Sequence, residues 1–194
     1  MIYFFLAENF IKEKRIKKIG ILLMITALTA TSLLGAKKIK PGMVKHKNNQ
    51  PVQEVNTWDS FYIVNESGYA LDVAGGHRDA GTNVGLWERN GSSAQKFRIV
   101  KGEADFYYIL NENSGKFLDA AGGKLNEGDN IHIWYANSSK AQKFKFIDAG
   151  NGYYFIQISD TNYYVAPQYS NPDKGHNVII WNSSSKCKWK LVKA

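Results

Sequence analysis

The sequence predicts a closed, all-β domain with approximate threefold symmetry and twelve short strands. A segment that begins with Asn and ends with Trp recurs at residues 83–87, 130–134 and 177–181, with a constant step of 47 residues. Each copy follows an aromatic and β-branched run of strand length, and no amphipathic helical pattern appears after residue 56. Three units of four strands are too few for a typical propeller, so they indicate a closed threefold domain.

Alternation within each repeat defines the individual strands and their faces. Asp72 lies between two apolar residues and Trp87 ends an alternating run, so both are expected to face away from the core. Asp119 and Trp134 repeat this pattern in the second copy, and turn residues separate the two runs. The predicted strands are 60–65, 70–73, 83–87 and 95–100 in repeat one, 106–111, 116–120, 130–134 and 142–147 in repeat two, and 153–158, 163–166, 177–181 and 188–192 in repeat three.

The first 36 residues have the layout of a secretory signal peptide. Basic residues at 12–18 precede an apolar run at 19–34, and small residues follow at Gly35 and Ala36. The apolar run is shorter than the roughly 20 residues of a spanning helix, so we expect a cleaved signal, with a retained anchor as the alternative. Residues 37–56 are rich in Lys, Asn and Gln and read as a flexible linker. The protein is therefore expected to be secreted, with membrane contact only through the transient signal peptide.

The basic character of the chain lies outside the predicted domain. The formal net charge is +8, but Lys and Arg balance Asp and Glu from residue 51 onward. The domain therefore offers no electrostatic basis for binding nucleic acid. Cys187 is the only cysteine, which excludes an intramolecular disulfide.

Three groups of residues carry a resemblance to a known family. They are residues 67–76, the Asn-to-Trp segment at 83–87 and Gln95-Lys96-Phe97. Their counterparts lie 47 and 94 residues later, except that the third copy of the last group, Cys187-Lys188-Trp189, comes two residues early. In these three groups of residues the sequence resembles the ricin-B-type β-trefoil lectins, especially the bacterial carbohydrate-binding modules of that type. The resemblance implies a β-trefoil over residues 57–194, with repeats at about 57–103, 104–150 and 151–194. The family's Gln-x-Trp signature has Phe97 and Phe144 in place of Trp in two repeats.

The resemblance also implies a sugar site in each repeat. In the family an Asp accepts hydrogen bonds from sugar hydroxyls, an aromatic side chain stacks on the ring, and Gln and Asn positions complete the site. The candidate carbohydrate-binding residues are Asp72, Trp87 and Asn90 in repeat one, and Asp119, His132, Trp134 and Asn137 in repeat two. At the family's Gln position repeat one has Gly85, whereas repeat two has His132, which can supply a donor or acceptor. Repeat three has Ala166 in place of the acid, so we rank the sites second, first, third.

Each candidate residue also has a purely structural interpretation. The tryptophans can serve packing, since Trp181 persists where the acid is lost. The two acids can cap turns, and Asn90 and Asn137 can form turns. Phe97, Phe144 and Trp189 are predicted to be core residues, and Gln95 and Gln142 are predicted to be buried hydrogen-bonding residues.

The sequence therefore predicts a secreted, non-catalytic carbohydrate-binding module. The expected partner is a glycan or polysaccharide, with galactose- and xylose-type sugars as candidates, and a secreted enzyme or toxin as a possible protein partner. The alternative is a protein-interaction β-trefoil, such as the docking subunit of a toxin or an inhibitor-like module. Asp72 and Asp119 belong to different repeats, which argues against a glycosidase pair, and no catalytic motif, metal spacing or cofactor motif is present.

Overall fold

The computed structural model describes residues 59–103, 105–183 and 188–194. The predicted signal peptide (1–36) and linker (37–56) lie outside these ranges, as does Cys187. Within them the chain forms twelve strands and three short 3-10 turns. The strands are β1 (Ser60–Asn65), β2 (Ala70–Val73), β3 (Val84–Trp87), β4 (Phe97–Lys101), β5 (Tyr107–Asn111), β6 (Phe117–Ala120), β7 (Ile131–Trp134), β8 (Phe144–Gly150), β9 (Tyr153–Ile158), β10 (Tyr164–Pro167), β11 (Val178–Trp181) and β12 (Lys188–Lys193).

Six strands close into an antiparallel barrel. The ring runs β1–β4–β5–β8–β9–β12 and returns to β1, so each strand of the ring has two neighbours. Closure removes the exposed edges that an open sheet of this size would present. The remaining strands form three hairpins, β2–β3, β6–β7 and β10–β11, one from each repeat. This arrangement confirms the predicted all-β threefold architecture, the β-trefoil.

The hairpins meet one another around the pseudo-threefold axis. Single β-bridges join Asn83 to His132, Gly85 to Asn177 and Asn130 to Ile179. The Asn83 amide donates to Asn177 Oδ1 at 3.0 Å, and the Asn177 amide donates to Asn130 Oδ1 at 2.8 Å. The three asparagines that begin the repeated segment therefore tie the hairpins together.

The core lies inside the barrel and beneath the hairpins. Phe97, Phe144 and Trp189 are fully buried, as predicted, and the Trp189 indole donates to the Val165 carbonyl at 2.8 Å. Large apolar side chains on alternate strand positions fill the rest of this space. Two strands, β4 and β8, begin two residues later than predicted, because Gln95 and Gln142 end the 3-10 turns Ser93–Gln95 and Lys140–Gln142 and do not begin strands. Each turn directs its glutamine inward, where the side-chain amide bonds to the loop that follows the tryptophan.

Candidate functional site

The repeat-two hairpin brings all four predicted site residues together. Strand register places Asp119 directly opposite His132, and Trp134 lies two residues further along β7. His132 Nε2 lies 3.1 Å from Asp119 Oδ1, and the Asn137 amide donates to Asp119 Oδ2 at 3.4 Å. The His132 and Trp134 rings are stacked, with 5.3 Å between centroids and 12° between planes. The side chains form a continuous row from the carboxylate through the imidazole to the indole.

The exposure of the repeat-two acid differs from the prediction. Asp119 was expected to face solvent, but it is 5% exposed, because His132 and Asn137 each cover one of its oxygens. Trp134 is 39% exposed and keeps a face available to a ligand. A carboxylate has about four lone-pair positions, so two acceptor positions remain on Asp119. The indole is the accessible part of this site, and the acid lies behind it.

The repeat-one hairpin presents a more open acid. Asp72 is half-buried and accepts a hydrogen bond from the Gln95 amide at 2.7 Å through Oδ2. Among the described residues its Oδ1 has no hydrogen-bond partner. Burial raises the pKa of the Asp72 carboxyl, and the Gln95 hydrogen bond opposes part of that rise. Trp87 on the facing strand is 44% exposed, so repeat one offers both an exposed indole and an unoccupied carboxylate oxygen.

Gly85 explains why the repeat-one acid is open. It lies opposite Asp72, at the position that His132 occupies in repeat two. A Cβ at Gly85 would lie 3.0 Å from the His176 carbonyl oxygen, which is tighter than ordinary packing. With no side chain at Gly85, nothing from β3 covers the Asp72 carboxylate.

The two asparagines that follow the tryptophans differ in their contacts. Asn90 Oδ1 accepts the Ser92 N–H and Asn137 Oδ1 accepts the Ser139 N–H, each at 2.9 Å, so both form turns. The Asn137 amide also donates to Asp119, whereas within the described residues Asn90 makes no hydrogen bond to Asp72. Only Asn137 therefore lies beside the acid of its repeat.

Buried glutamines hold both loops in place. Gln95 Oε1 accepts the Asn90 N–H at 2.9 Å, and Gln142 Oε1 accepts the Asn137 N–H at 3.1 Å. Both side chains are buried, as predicted. Since Gln95 also donates to Asp72, one framework residue fixes the loop and orients the acid.

Repeat three lacks the polar half of the site. Ala166 lies opposite Ile179 and both are buried, while Trp181 is 38% exposed. The Asn182 amide donates to Glu127 Oε2 at 2.6 Å, which links this loop to repeat two. The tryptophan thus keeps its position without an adjacent carboxylate.

A neighbouring repeat supplies one wall of the Trp134 site and of the Trp87 site. The Gly81 N–H donates to the Ile133 carbonyl, and a Cβ at Gly81 would lie 3.4 Å from the Trp134 ring. Gly175 makes the equivalent approach to Trp87, at 3.8 Å. The sites are therefore built across repeat boundaries.

Tyr135 and Lys116 complete the surroundings of Trp134 and were not predicted as site residues. Tyr135 is 63% exposed and packs edge-on against Trp134, with 6.3 Å between centroids. Lys116 Nζ lies 4.9 Å from the Tyr135 ring centroid. The available signal was the exposed aromatic at 135, where the other repeats have Glu88 and Asn182.

The described residues contain neither a metal-binding cluster nor a membrane-spanning helix. In the described ranges, no group of three or more His, Cys, Asp or Glu side chains is arranged to hold a metal ion. In those ranges, too, no helix has the length and apolar character needed to cross a membrane.

Solved structures with the same fold include designed and natural proteins. The designed threefold-symmetric protein ThreeFoil is 26% identical, with a TM-score of 0.67, covering 70% of this chain and 99% of that one. An exo-β-1,3-galactanase from Clostridium thermocellum is 27% identical, with a TM-score of 0.68, covering 71% of this chain and 30% of that enzyme. A Macrolepiota procera ricin B-like lectin, solved with lactose, is 14% identical, with a TM-score of 0.60 and coverage of 73% and 99%.

A sequence profile of one family also matches most of the chain. No curated protein sequence gives a significant match. The profile described as ricin-type beta-trefoil lectin domain-like matches twice, over residues 52–134 and 93–181. These matches overlap the three hairpins and their tryptophans, and the chain therefore belongs to the ricin-type β-trefoil lectin domain-like family, a family of carbohydrate-binding domains.

Proposed function

We propose that the protein is a secreted, non-catalytic module that binds glycans through its repeat-one and repeat-two hairpins. The observation that carries the proposal is the exposed indole that two hairpins present beside a carboxylate, in the same strand register. An indole offers a large flat apolar surface for the face of a sugar ring. An ionised carboxylate accepts hydrogen bonds from adjacent hydroxyls.

The structure favours repeat one as the more accessible site. Asp72 keeps an oxygen without a partner in the described structure, whereas both Asp119 oxygens are hydrogen-bonded. A hydroxyl can reach the half-buried Asp72 more easily than Asp119, which is 5% exposed. This reverses the order expected from the sequence, which placed repeat two first because of His132.

Binding at each site should be weak. A single stacked ring with a few hydroxyl contacts corresponds to a Kd of about 0.1–1 mM, or roughly −4 to −5.5 kcal/mol. Two such sites on one rigid domain gain avidity on a polymer or a glycan-dense surface. Galactose- and xylose-type sugars remain the candidates that the resemblance implies.

The same proposal includes two further properties: the protein is secreted, and it does not catalyse a reaction. Asp72 and Asp119 lie on hairpins of different repeats, so they do not form the facing carboxylate pair of a glycosidase. The chain corresponds to 30% of the matched galactanase, so the similarity covers only part of that enzyme. Secretion is supported by the basic and apolar runs at residues 12–34.

The test is a glycan-binding titration with tryptophan variants. Trp87→Ala and Trp134→Ala should each weaken binding to immobilised polysaccharide, and the double variant should abolish it. Trp181→Ala is the matched control, because it removes an equally exposed indole that has no acid beside it. Absence of binding by the unaltered protein at about 1 mM would overturn the proposal.

A protein-docking role is the second candidate, and Trp181 favours it. Its indole is exposed without a carboxylate to orient a sugar, and exposed aromatic side chains are common anchors of protein interfaces. If a protein partner is captured, Trp181→Ala should weaken that contact and Asp119→Ala should not. If Asp119→Ala weakens the contact and Trp181→Ala does not, the result would favour glycan binding without a protein-docking role.

A further inference from the structure

The two candidate sites share a framework but differ in the charge of their rims. We define the rim as the side chains that border the tryptophan from its own loop and from the neighbouring repeat. At equivalent positions 47 residues apart, Lys116 replaces Tyr69 and Tyr135 replaces Glu88. These replacements lie around the ligand position and leave the hairpin register unchanged.

The repeat-two rim carries one cation, Lys116, against an exposed aromatic ring and a second, Arg78, on the adjoining loop. Lys116 Nζ lies over the Tyr135 ring and donates to the Arg78 carbonyl at 2.6 Å. Arg78 is held in turn, since its Nε and Nη2 donate to Asn113 Oδ1 at 3.2 and 3.1 Å. Gly81, three residues after Arg78, approaches the Trp134 ring, which brings this loop to the site.

These cations have no ion-pair partner within the described part of the chain. Ion pairs are recorded there for six other residue pairs, and neither Arg78 nor Lys116 belongs to one. Asp79 is the acid on the same loop, and it is exposed and forms no ion pair with either of them. Two cations against one carboxylate leave the rim positive.

The repeat-one rim has the opposite balance. Glu88 follows Trp87 directly, and Lys174 Nζ lies 3.5 Å from its Oε1. Asp173 accepts a hydrogen bond from the Tyr69 hydroxyl at 2.8 Å, and that bond lowers the pKa of the Asp173 carboxyl. Arg89, the other cation of this loop, lies over the Tyr62 ring of β1, 5.8 Å from its centroid. Beside Trp87 itself, two carboxylates against the Lys174 ammonium leave this rim negative.

We propose that repeat two binds glycans that carry an anionic group, a carboxylate or a sulfate ester, and that repeat one binds neutral glycans. The sugar ring would stack on Trp134, and its anionic substituent would lie against Lys116 and Arg78. The same substituent at repeat one would meet Glu88 and Asp173. The inference rests on the proposed glycan binding and adds a division of ligands by charge.

The size of the effect follows from the exposure of the rim. Solvent-exposed charge pairs contribute about 0.2–1 kcal/mol each, which corresponds to roughly a 1.5- to 5-fold change in Kd per cation. Screening reduces this contribution as the ionic strength rises. The preference for an anionic glycan should therefore be clear at low salt and small at about 0.5 M salt.

Each site can be measured alone in the full chain. Trp87→Ala removes the repeat-one indole, so only the repeat-two site can bind, and we call this variant the repeat-two protein. Trp134→Ala leaves only the repeat-one site and is called the repeat-one protein. Each variant is titrated, by NMR chemical shifts, with oligosaccharides that share one backbone and are neutral, carboxylated or sulfated. The repeat-two protein should bind both anionic forms about 3- to 10-fold more tightly than the neutral form, and the repeat-one protein should favour the neutral form. A gain for only one anionic form would identify which group the rim accepts.

Lys116→Glu in the repeat-two protein tests the cause. It should abolish or reverse the anionic preference, while Lys116→Gln should reduce it. Lys101→Glu is the matched control, because Lys101 also lies over a tyrosine, Tyr107, but on the barrel strands. Equal binding of neutral and anionic glycans by the repeat-two protein would overturn this inference and leave the proposed function intact. Absence of all glycan binding would overturn both.

Discussion

At the residue scale, the side chain opposite each acid decides its environment. Asp72 and Asp119 occupy the same position in their hairpins, but Gly85 faces the first and His132 faces the second. His132 bonds to its acid and stacks on its tryptophan, whereas Gly85 leaves its acid open. One position therefore changes the acid from an accessible acceptor into a buried one.

The accessible Asp72 carboxylate should make sugar binding at repeat one depend on pH. Burial holds the pKa of Asp72 above its ordinary value of 3.8, and a protonated carboxyl loses acceptor capacity. In the Trp134→Ala protein, sugar affinity should therefore fall as pH decreases, with a midpoint above 3.8. Titration with a neutral sugar from about pH 7 to about pH 3.5 measures this.

The same shift has the opposite effect on folding. A raised pKa means that the folded state binds the proton more tightly, so the Asp72 contribution to stability increases as pH falls through that pKa. Protonation of Asp72 therefore does not destabilise the fold, and loss of sugar binding at acid pH through this carboxyl is not caused by unfolding. Asp72→Asn is the control, and it should flatten the pH profile. An unchanged profile in Asp72→Asn would contradict the assignment to this carboxyl.

At the scale of elements, a glycine before each β-bridge joins one hairpin to the next. Gly81, Gly128 and Gly175 all have positive φ, between 81° and 89°, and each donates its N–H to a strand of the neighbouring repeat. A residue with a Cβ is strained in this conformation. Gly81 differs from Gly128 because only Gly81 faces a tryptophan within 4 Å.

Gly81→Ala and Gly128→Ala should therefore separate backbone strain from the tryptophan contact. Both should lower the free energy of unfolding by about 1–2 kcal/mol, because both force alanine to a positive φ. Only Gly81→Ala places a Cβ 3.4 Å from the Trp134 ring, so it alone should weaken glycan binding at repeat two. Denaturant unfolding and a glycan titration measure the two effects. Equal loss of binding in both variants would show that the contact with Trp134 has no role.

At the scale of the whole molecule, six strands from three repeats close the barrel and the hairpins cap it. Each barrel strand pairs with strands on both sides, so no repeat completes its own pairing. The asparagine bonds from Asn83 through Asn177 to Asn130 connect all three hairpins. The domain should accordingly unfold as one cooperative unit.

The asparagine chain gives a graded test of this coupling. Asn177→Ala removes one donor and one acceptor and leaves partner atoms on both neighbours, whereas Asn83→Ala removes a single donor. Leaving a part-buried polar atom unpaired costs about 1–3 kcal/mol, so Asn177→Ala should destabilise more than Asn83→Ala by roughly 1 kcal/mol. Urea unfolding followed by circular dichroism provides the comparison. An equal loss in the two variants would mean that the bonds do not couple the hairpins.

Much of the architecture was predictable because it depends on local patterns repeated three times. The repeat gives the number of strands, and alternation identifies inward residues such as Phe97, Phe144 and Trp189. The short strand boundaries were predicted to within a few residues. The largest difference is at the end of β8, which continues to Gly150 where residue 147 was predicted. Strands β4 and β8 also begin two residues late, because Gln95 and Gln142 bury their side-chain amides in 3-10 turns.

The sequence alone determined which residues belong to one hairpin and which side of a strand they occupy. The tertiary structure alone decided what covers them. The alternating pattern correctly predicted that Trp134 is exposed, but it could not show that Asn137 and His132 bury Asp119. Nor could it place the loop that holds Arg78 and Gly81 beside the repeat-two tryptophan, because the approach of Gly81 to Trp134 crosses from one repeat to the next. Periodicity records the direction of a side chain relative to its own strand, whereas its exposure and charge environment depend on groups brought close only when the barrel closes.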